Sequence, residues 1–139
     1  MRDNPASKNV LELHGVGRRL PSGGKILEIL DSIDLEVCSG EFLAILGPSG
    51  SGKSTLLALM AGLDRPSAGE VWLNGERIDQ LSEDRLAILR RHSVGFVFQS
   101  FQLLGNFTAR ENIMLPMELL ARTDARIRAE ELLAAVGLG

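Results

Sequence analysis

Gly47-Pro48-Ser49-Gly50-Ser51-Gly52-Lys53-Ser54-Thr55 is the stretch that decides the fold. An apolar run, Phe42-Leu43-Ala44-Ile45-Leu46, precedes it, and Leu56-Leu57-Ala58-Leu59-Met60-Ala61 follows, with Gly62 placed to end a helix. The order predicts a buried strand, a glycine-rich loop and a helix, which is the context of a phosphate-binding loop. Gly47, Gly50 and Gly52 permit backbone angles at which successive N–H groups converge on one anion. The helix behind them aims its N-terminal dipole and unpaired N–H groups at the same anion. In such a loop Lys53 reaches the β- and γ-phosphates, and the Ser54 hydroxyl is placed to ligate Mg²⁺. The plainer reading is a flexible Gly/Ser loop beside a core helix, but it leaves the agreement of glycines, Lys, Ser and flanks unexplained.

The composition sets bounds around this motif. A chain of 139 residues suffices for one core. Hydrophobic content of 45% and charged content of 24% are those of a globular protein. A formal net charge of −3 argues against a general nucleic-acid partner, which would call for a basic chain. Cys38 is the one cysteine, so neither an intrachain disulfide framework nor a cysteine zinc cluster is expected. No apolar run is long enough to span a bilayer, and no apolar signal segment follows Met1-Arg2-Asp3-Asn4-Pro5. A cytoplasmic location is the expectation.

Outward from the loop, residues 1–8 read as a disordered leader. Val10-Leu11-Glu12-Leu13-His14 alternates weakly as a strand, and Arg18 to Lys25 holds the turn chemistry of Pro21, Ser22, Gly23 and Gly24. Ile33, Leu35 and Val37 alternate with Asp34 and Glu36, the pattern of a half-exposed strand in an antiparallel sheet. Asn74-Gly75 between Glu70-Val71-Trp72-Leu73 and Glu76-Arg77-Ile78 predicts a hairpin. Ser82 caps a predicted helix over Asp84 to Arg91, with a stripe of Leu86, Leu89 and Ile88. Ser93 to Phe98 reads as an apolar strand running into Gln99. Two amphipathic helices, Ala109 to Ala121 and Asp124 to Val136, close the chain; Pro116 is expected to kink or split the first, and Gly137 to stop the second.

Taken together, these residues resemble the ATP-binding subunits of ATP-binding cassette (ABC) transporters. Gly47–Thr55 matches their Walker A motif, residues 61–70 the segment after it, and Val94-Gly95-Phe96-Val97-Phe98-Gln99 the Q-loop strand. Leu103-Leu104 and Thr108-Ala109-Arg110-Glu111-Asn112-Ile113 continue the match, in wording most similar to the lipoprotein-release and macrolide-efflux group. The resemblance implies an α/β fold: an antiparallel β subdomain and a P-loop core with an incomplete parallel sheet together over residues 9–98, then the Q-loop and the start of a helical subdomain over 99–139. It implies ATP and Mg²⁺ at Gly47, Pro48, Ser49, Gly50, Ser51, Gly52, Lys53, Ser54 and Thr55. Lys53 and Gln99 would be the catalytic residues, with Ser54 and Gln99 near the metal. Gln102 is a rival to Gln99, which directly follows the apolar strand.

The implied partners are transmembrane permease subunits meeting residues 99–112 and a second nucleotide-binding domain in a head-to-tail dimer, peripheral on the cytoplasmic face of the inner membrane. The chain also departs from the family's pattern. It has no tyrosine to stack on adenine, and Val16 or a neighbour is expected in that region. Gly105 stands where Pro is frequent. No run of four or more apolar residues ends in Asp-Glu, so the sequence reads as truncated before the signature and Walker B motifs, and turnover by these residues alone is not expected. Pro21-Ser22-Gly23-Gly24-Lys25 reads as a hairpin turn and not as a signature. His14 and His92 read as surface or packing residues, Cys38 as filler, and Trp72 as core. Two other classes stay open, a nucleotide-binding module without turnover and a small P-loop kinase or GTPase. A GTPase would need an Asn-Lys-x-Asp guanine reader, which is absent, and a kinase usually begins with its P-loop strand.

Overall fold

The computed structural model describes residues 9–139; the expected leader at 1–8 lies outside them. The chain forms two compact units that divide between Gly95 and Phe96.

The first unit is built on a sheet. Strand β1 (Asn9–Ser22) and strand β2 (Lys25–Cys38) form one long antiparallel hairpin. Its turn is the pair Gly23-Gly24, with φ of 56° and 80°, values that suit a two-residue hairpin connection. Only these two residues turn. The wider turn expected over 18–25 gives way to paired strands, because Pro21 and Ser22 still find partners in Ile26 and Lys25. Strand β3 (Ala68–Leu73) pairs with the other edge of β1, and strand β4 (Glu76–Arg77) closes the order β2-β1-β3-β4. Asn74 and Gly75, at φ 51° and 80°, make the expected β3–β4 turn. Trp72 is half-buried, its indole N–H donating to Glu70 at 3.0 Å, rather than being a core residue.

Helix α1 (Lys53–Met60), helix α2 (Glu83–Ser93) and Ile78 after β4 supply the rest of this unit's core. Leu11, Leu13, Val16, Leu30, Val71 and Leu73 from the strands meet Leu56, Leu59, Ile78 and Leu86. In α2, Leu86 is buried and Leu89 packs on the core, while Ile88 is 54% exposed, so the apolar stripe excludes it. Ser82 caps the helix by accepting from the Arg85 N–H.

Two predicted strands do not form. Among the described residues no strand pairs with 42–46 or with 94–98, and Phe42, Leu46 and Val97 are 92%, 88% and 96% exposed rather than buried. A continuous apolar run marks a segment suited to burial, but a strand exists only where another backbone completes its ladder. The ladders among the described residues are therefore all antiparallel. Ser93 belongs to α2 and not to a strand.

The second unit holds helix α3 (Ala109–Leu119) and helix α4 (Ala125–Ala135), which pack on each other. Ala125, Ala129 and Leu133 form the buried stripe of α4 at helical spacing. Thr108 and Glu111 make a reciprocal capping box at the start of α3. Asn112 then clamps the preceding loop. Its Oδ1 accepts from the Leu104 N–H at 2.8 Å, and its Nδ2 faces the Leu104, Phe107 and Thr108 carbonyls at 3.0–3.2 Å. Pro116 sits inside α3 without splitting it. Residues 121 and 137 are left-handed, at φ 55° and 77°, and end α3 and α4. In each case the next N–H reaches back to close a Schellman motif: Arg122 to the Met117 carbonyl, Leu138 to the Leu133 carbonyl. Gly137 is the expected stop; Ala121 adopts the same angle with a side chain.

Candidate phosphate-binding site

The site is the turn between residue 47 and the first turn of α1. Gly52 is the N-cap of α1 in the left-handed conformation, at φ 84° and ψ 4°. A Cβ there would stand 2.9 Å from the Ile29 carbonyl oxygen and from a Leu30 methyl of β2. Only glycine satisfies both the angle and the approach, so the loop is seated against the sheet at this residue. No side chain caps α1, and no acidic residue lies in its first turn. The N–H groups that begin the helix are therefore left for an anion, with the positive end of the helix dipole behind them.

Lys53 supplies the cation. Its Nζ donates to the Gly47 carbonyl at 2.9 Å and the Pro48 carbonyl at 2.6 Å, with the Ser51 hydroxyl at 3.4 Å. The ammonium thus lies over the loop rather than out in solvent. The loop is further closed by the Ser51 N–H on the Pro48 carbonyl at 3.3 Å. Ser54 is exposed on the first turn. The donor set of backbone N–H groups, one ammonium and one hydroxyl fits a Mg²⁺-bound polyphosphate. No group of three or more His, Cys, Asp or Glu among the described residues could hold a metal alone.

The far end of α1 is anchored separately. Gly62, at φ 63°, closes a Schellman motif: its N–H bonds the Leu59 carbonyl and the Leu63 N–H bonds the Ala58 carbonyl. The Arg90 guanidinium of α2 donates to the Gly62 carbonyl at 2.6 Å, a cation where the helix dipole is negative. Arg18 of β1 holds the following loop through Asp64 and the Arg65 carbonyl.

The other expected site residues fall elsewhere. Val16 is 0% exposed within the core of the first unit, so its side chain offers no surface to a base. Four residues further along β1, Leu20 is 39% exposed, and its cross-strand partner Leu27 is 52% exposed. The Gly23-Gly24 pair alone marks a two-residue turn with strands on both sides. Gln99 lies exposed in the second unit, ahead of a loop in which Gln102 is left-handed at φ 51° and donates to the Ser100 hydroxyl. His14 is exposed beside Glu12, and His92 is exposed at the end of α2. The Cys38 Sγ lies 3.4 Å from the Asn9 side-chain oxygen at the end of the β1–β2 ladder.

Residues 30–139 match the family described as ABC transporter. The chain is 49% identical to the lipoprotein-releasing system ATP-binding protein LolD 1 of Rhodopseudomonas palustris, over 94% of this chain and 59% of that protein. It is 47% identical to the macrolide export ATP-binding/permease protein MacB of Wolinella succinogenes, over 95% of this chain and 21% of the other. The solved dimeric structure of the ATP-binding cassette MJ0796, in a post-hydrolysis state bound to ADP and Pi, is similar at a TM-score of 0.84 and 39% identity, covering 89% of this chain and 56% of that one. The chain thus spans about three-fifths of the LolD relative.

Proposed function

The chain belongs to the ABC transporter family, and from that premise we propose that it binds ATP with Mg²⁺ through Gly47–Thr55 as part of a transporter's ATP-binding subunit. The observation that carries this reading is the uncapped N-terminus of α1 at a left-handed Gly52, with the Lys53 ammonium laid over the same loop. The N–H groups of the loop and first turn bind and orient the phosphates. Lys53 would hold phosphate oxygens in place of the loop carbonyls, and Ser54 would be the hydroxyl ligand of the metal. When bound, Mg²⁺ supplies neutralisation of charge on the β- and γ-phosphates. The adenine rests on aliphatic surface at Leu20 and Leu27, which provides burial without aromatic stacking.

The names of the relatives support the wider assembly. Residues 99–112 face the membrane subunits, and two nucleotide-binding domains join head to tail, in keeping with the dimeric neighbour. No helix among the described residues is long and apolar enough to cross a membrane. The proposed place of these residues is the cytoplasmic face, held through those subunits. Titrating the chain with ATP and with GTP tests the reading against other P-loop classes. Saturable, Mg²⁺-dependent ATP binding is expected; a clear preference for GTP would contradict it.

A further inference from the structure

Helix α1 follows the phosphate loop, and its far end is held by a residue outside it. The last turn of α1 has no basic residue of its own. Arg90, in the last turn of α2, supplies one: its Nη1 donates to the Gly62 carbonyl at 2.6 Å. Gly62 is buried, and a Cβ there would stand 3.2 and 3.3 Å from methyls of Leu86 and Ile78. Its carbonyl thus sits among packed side chains and depends on a protein donor. Among the described residues no carboxylate pairs with Arg90, whereas Arg18, Arg65, Arg77 and Arg85 each have one. The charge of Arg90 is directed at the negative end of α1.

We propose that Arg90 is a positioning residue for nucleotide. Through Gly62 it fixes α1 along its axis, and so sets where the N–H groups of Lys53 and Ser54 meet the phosphates. The inference rests on Gly47–Thr55 being the phosphate site, and adds what keeps that site in place. Magnitudes separate positioning from direct attraction. The eight residues of α1 span about 12 Å. That exceeds the screening length of about 8 Å at physiological ionic strength, so Arg90 draws little on an anion at the other end. Leu56 and Leu59 bury one face of α1, but apolar contact is non-directional and resists sliding along the axis weakly. Two contacts act along the axis. Gly52 is seated against the Ile29 carbonyl at the start, and Arg90 holds the Gly62 carbonyl at the end. Loss of the second would leave a buried acceptor without its donor, and the helix would shift to recover one. The N–H groups at its start would move with it.

The test replaces Arg90 in the whole chain by Met, which keeps an apolar stem, and by Lys, which keeps a cationic donor, with Lys53→Ala as the reference. In calorimetry with ATP and Mg²⁺, Arg90→Met should bind roughly tenfold more weakly than the native chain, the size of one charge-assisted hydrogen bond. Arg90→Lys should recover most of that loss. Amide spectra give a readout that lowered stability alone does not move. In folded Arg90→Met the Lys53 and Ser54 N–H signals should shift, while those of Leu13 and Val71 in the sheet stay. If Arg90→Met does not fold, Arg90→Gln, which keeps a neutral donor, replaces it, with a loss of about threefold expected. Native affinity in the folded variant, beside weak binding by Lys53→Ala, overturns the role of Arg90 and leaves the phosphate site standing. So do unmoved Lys53 and Ser54 signals, or an Arg90→Lys that binds no better than the Met or Gln variant. If Lys53→Ala binds ATP as the native chain does, the phosphate-site reading itself falls, and the role of Arg90 with it.

Discussion

At the scale of single residues, backbone angle separates what is required from what is tolerated. Gly52 and Ala121 are both left-handed, yet only Gly52 also lacks room for a Cβ. Ala121 ends α3 in the same motif that Gly62 and Gly137 close for α1 and α4, and it is exposed. A left-handed L-residue costs about 1–2 kcal/mol, while glycine's extra freedom in the unfolded chain offsets about 0.4–1 kcal/mol of the gain from relieving it. Ala121→Gly should therefore stabilise the second unit by up to about 1 kcal/mol, read from denaturant unfolding. A destabilised variant would mean that the methyl group makes a contact worth more than the strain. Sequence reading identified Gly137 and Gly62 as stops because glycine advertises the angle. It could not identify Ala121, whose conformation follows from the hydrogen bonds around it and not from its type.

At the scale of elements, the start of α3 is the part whose chemistry responds to pH. The Thr108 N–H, then its hydroxyl, and more weakly the Arg110 charge hold the Glu111 carboxyl below the ordinary carboxylate range. A carboxyl whose folded pKa lies below its unfolded value contributes stability above the unfolded value and loses it as pH falls through the folded one. The helix start should thus loosen as pH drops below the ordinary glutamate range, seen as faster amide exchange at Glu111 and Asn112. Glu111→Gln should flatten that dependence; an unchanged pH profile in the variant would show that the capping box is not its source. Elements with local signals were legible from the sequence: the Asn74-Gly75 turn, the Ser82 cap, and the Ile33-Leu35-Val37 face. The runs at 42–46 and 94–98 were read as strands on apolar character alone. Strand formation depends on a partner backbone, which no local pattern supplies. The clamp by Asn112 was also invisible, since its acceptors are loop carbonyls brought near only by the fold.

At the scale of the molecule, the proposed phosphate site rests on contacts from several elements of the first unit. The loop and α1 are seated by β2 at Gly52 and anchored behind by Arg90 and Arg18. These 139 residues contain no apolar run ending in an acidic pair to act on an attacking water. The polypeptide of these residues should bind ATP without turning it over at the rate of a complete ABC ATPase. Steady-state phosphate release well above background, and abolished by Lys53→Ala, would refute that. The family was legible because loop, Lys and flanks are contiguous in sequence. Which residues of β1 keep an exposed side chain was not legible, since Val16 and Leu20 share one strand and only burial tells them apart.

The most direct measurement of the central claim is calorimetric titration of ATP and Mg²⁺ into the native chain and into Lys53→Ala, each shown by circular dichroism to be folded. Lys53 contributes the one side-chain cation to a site otherwise made of backbone donors and hydroxyls. Removing a charge-assisted hydrogen bond of this kind should weaken binding about 10- to 100-fold. Equal affinities in the two folded proteins would contradict the assignment of Gly47–Thr55 as the phosphate-binding site.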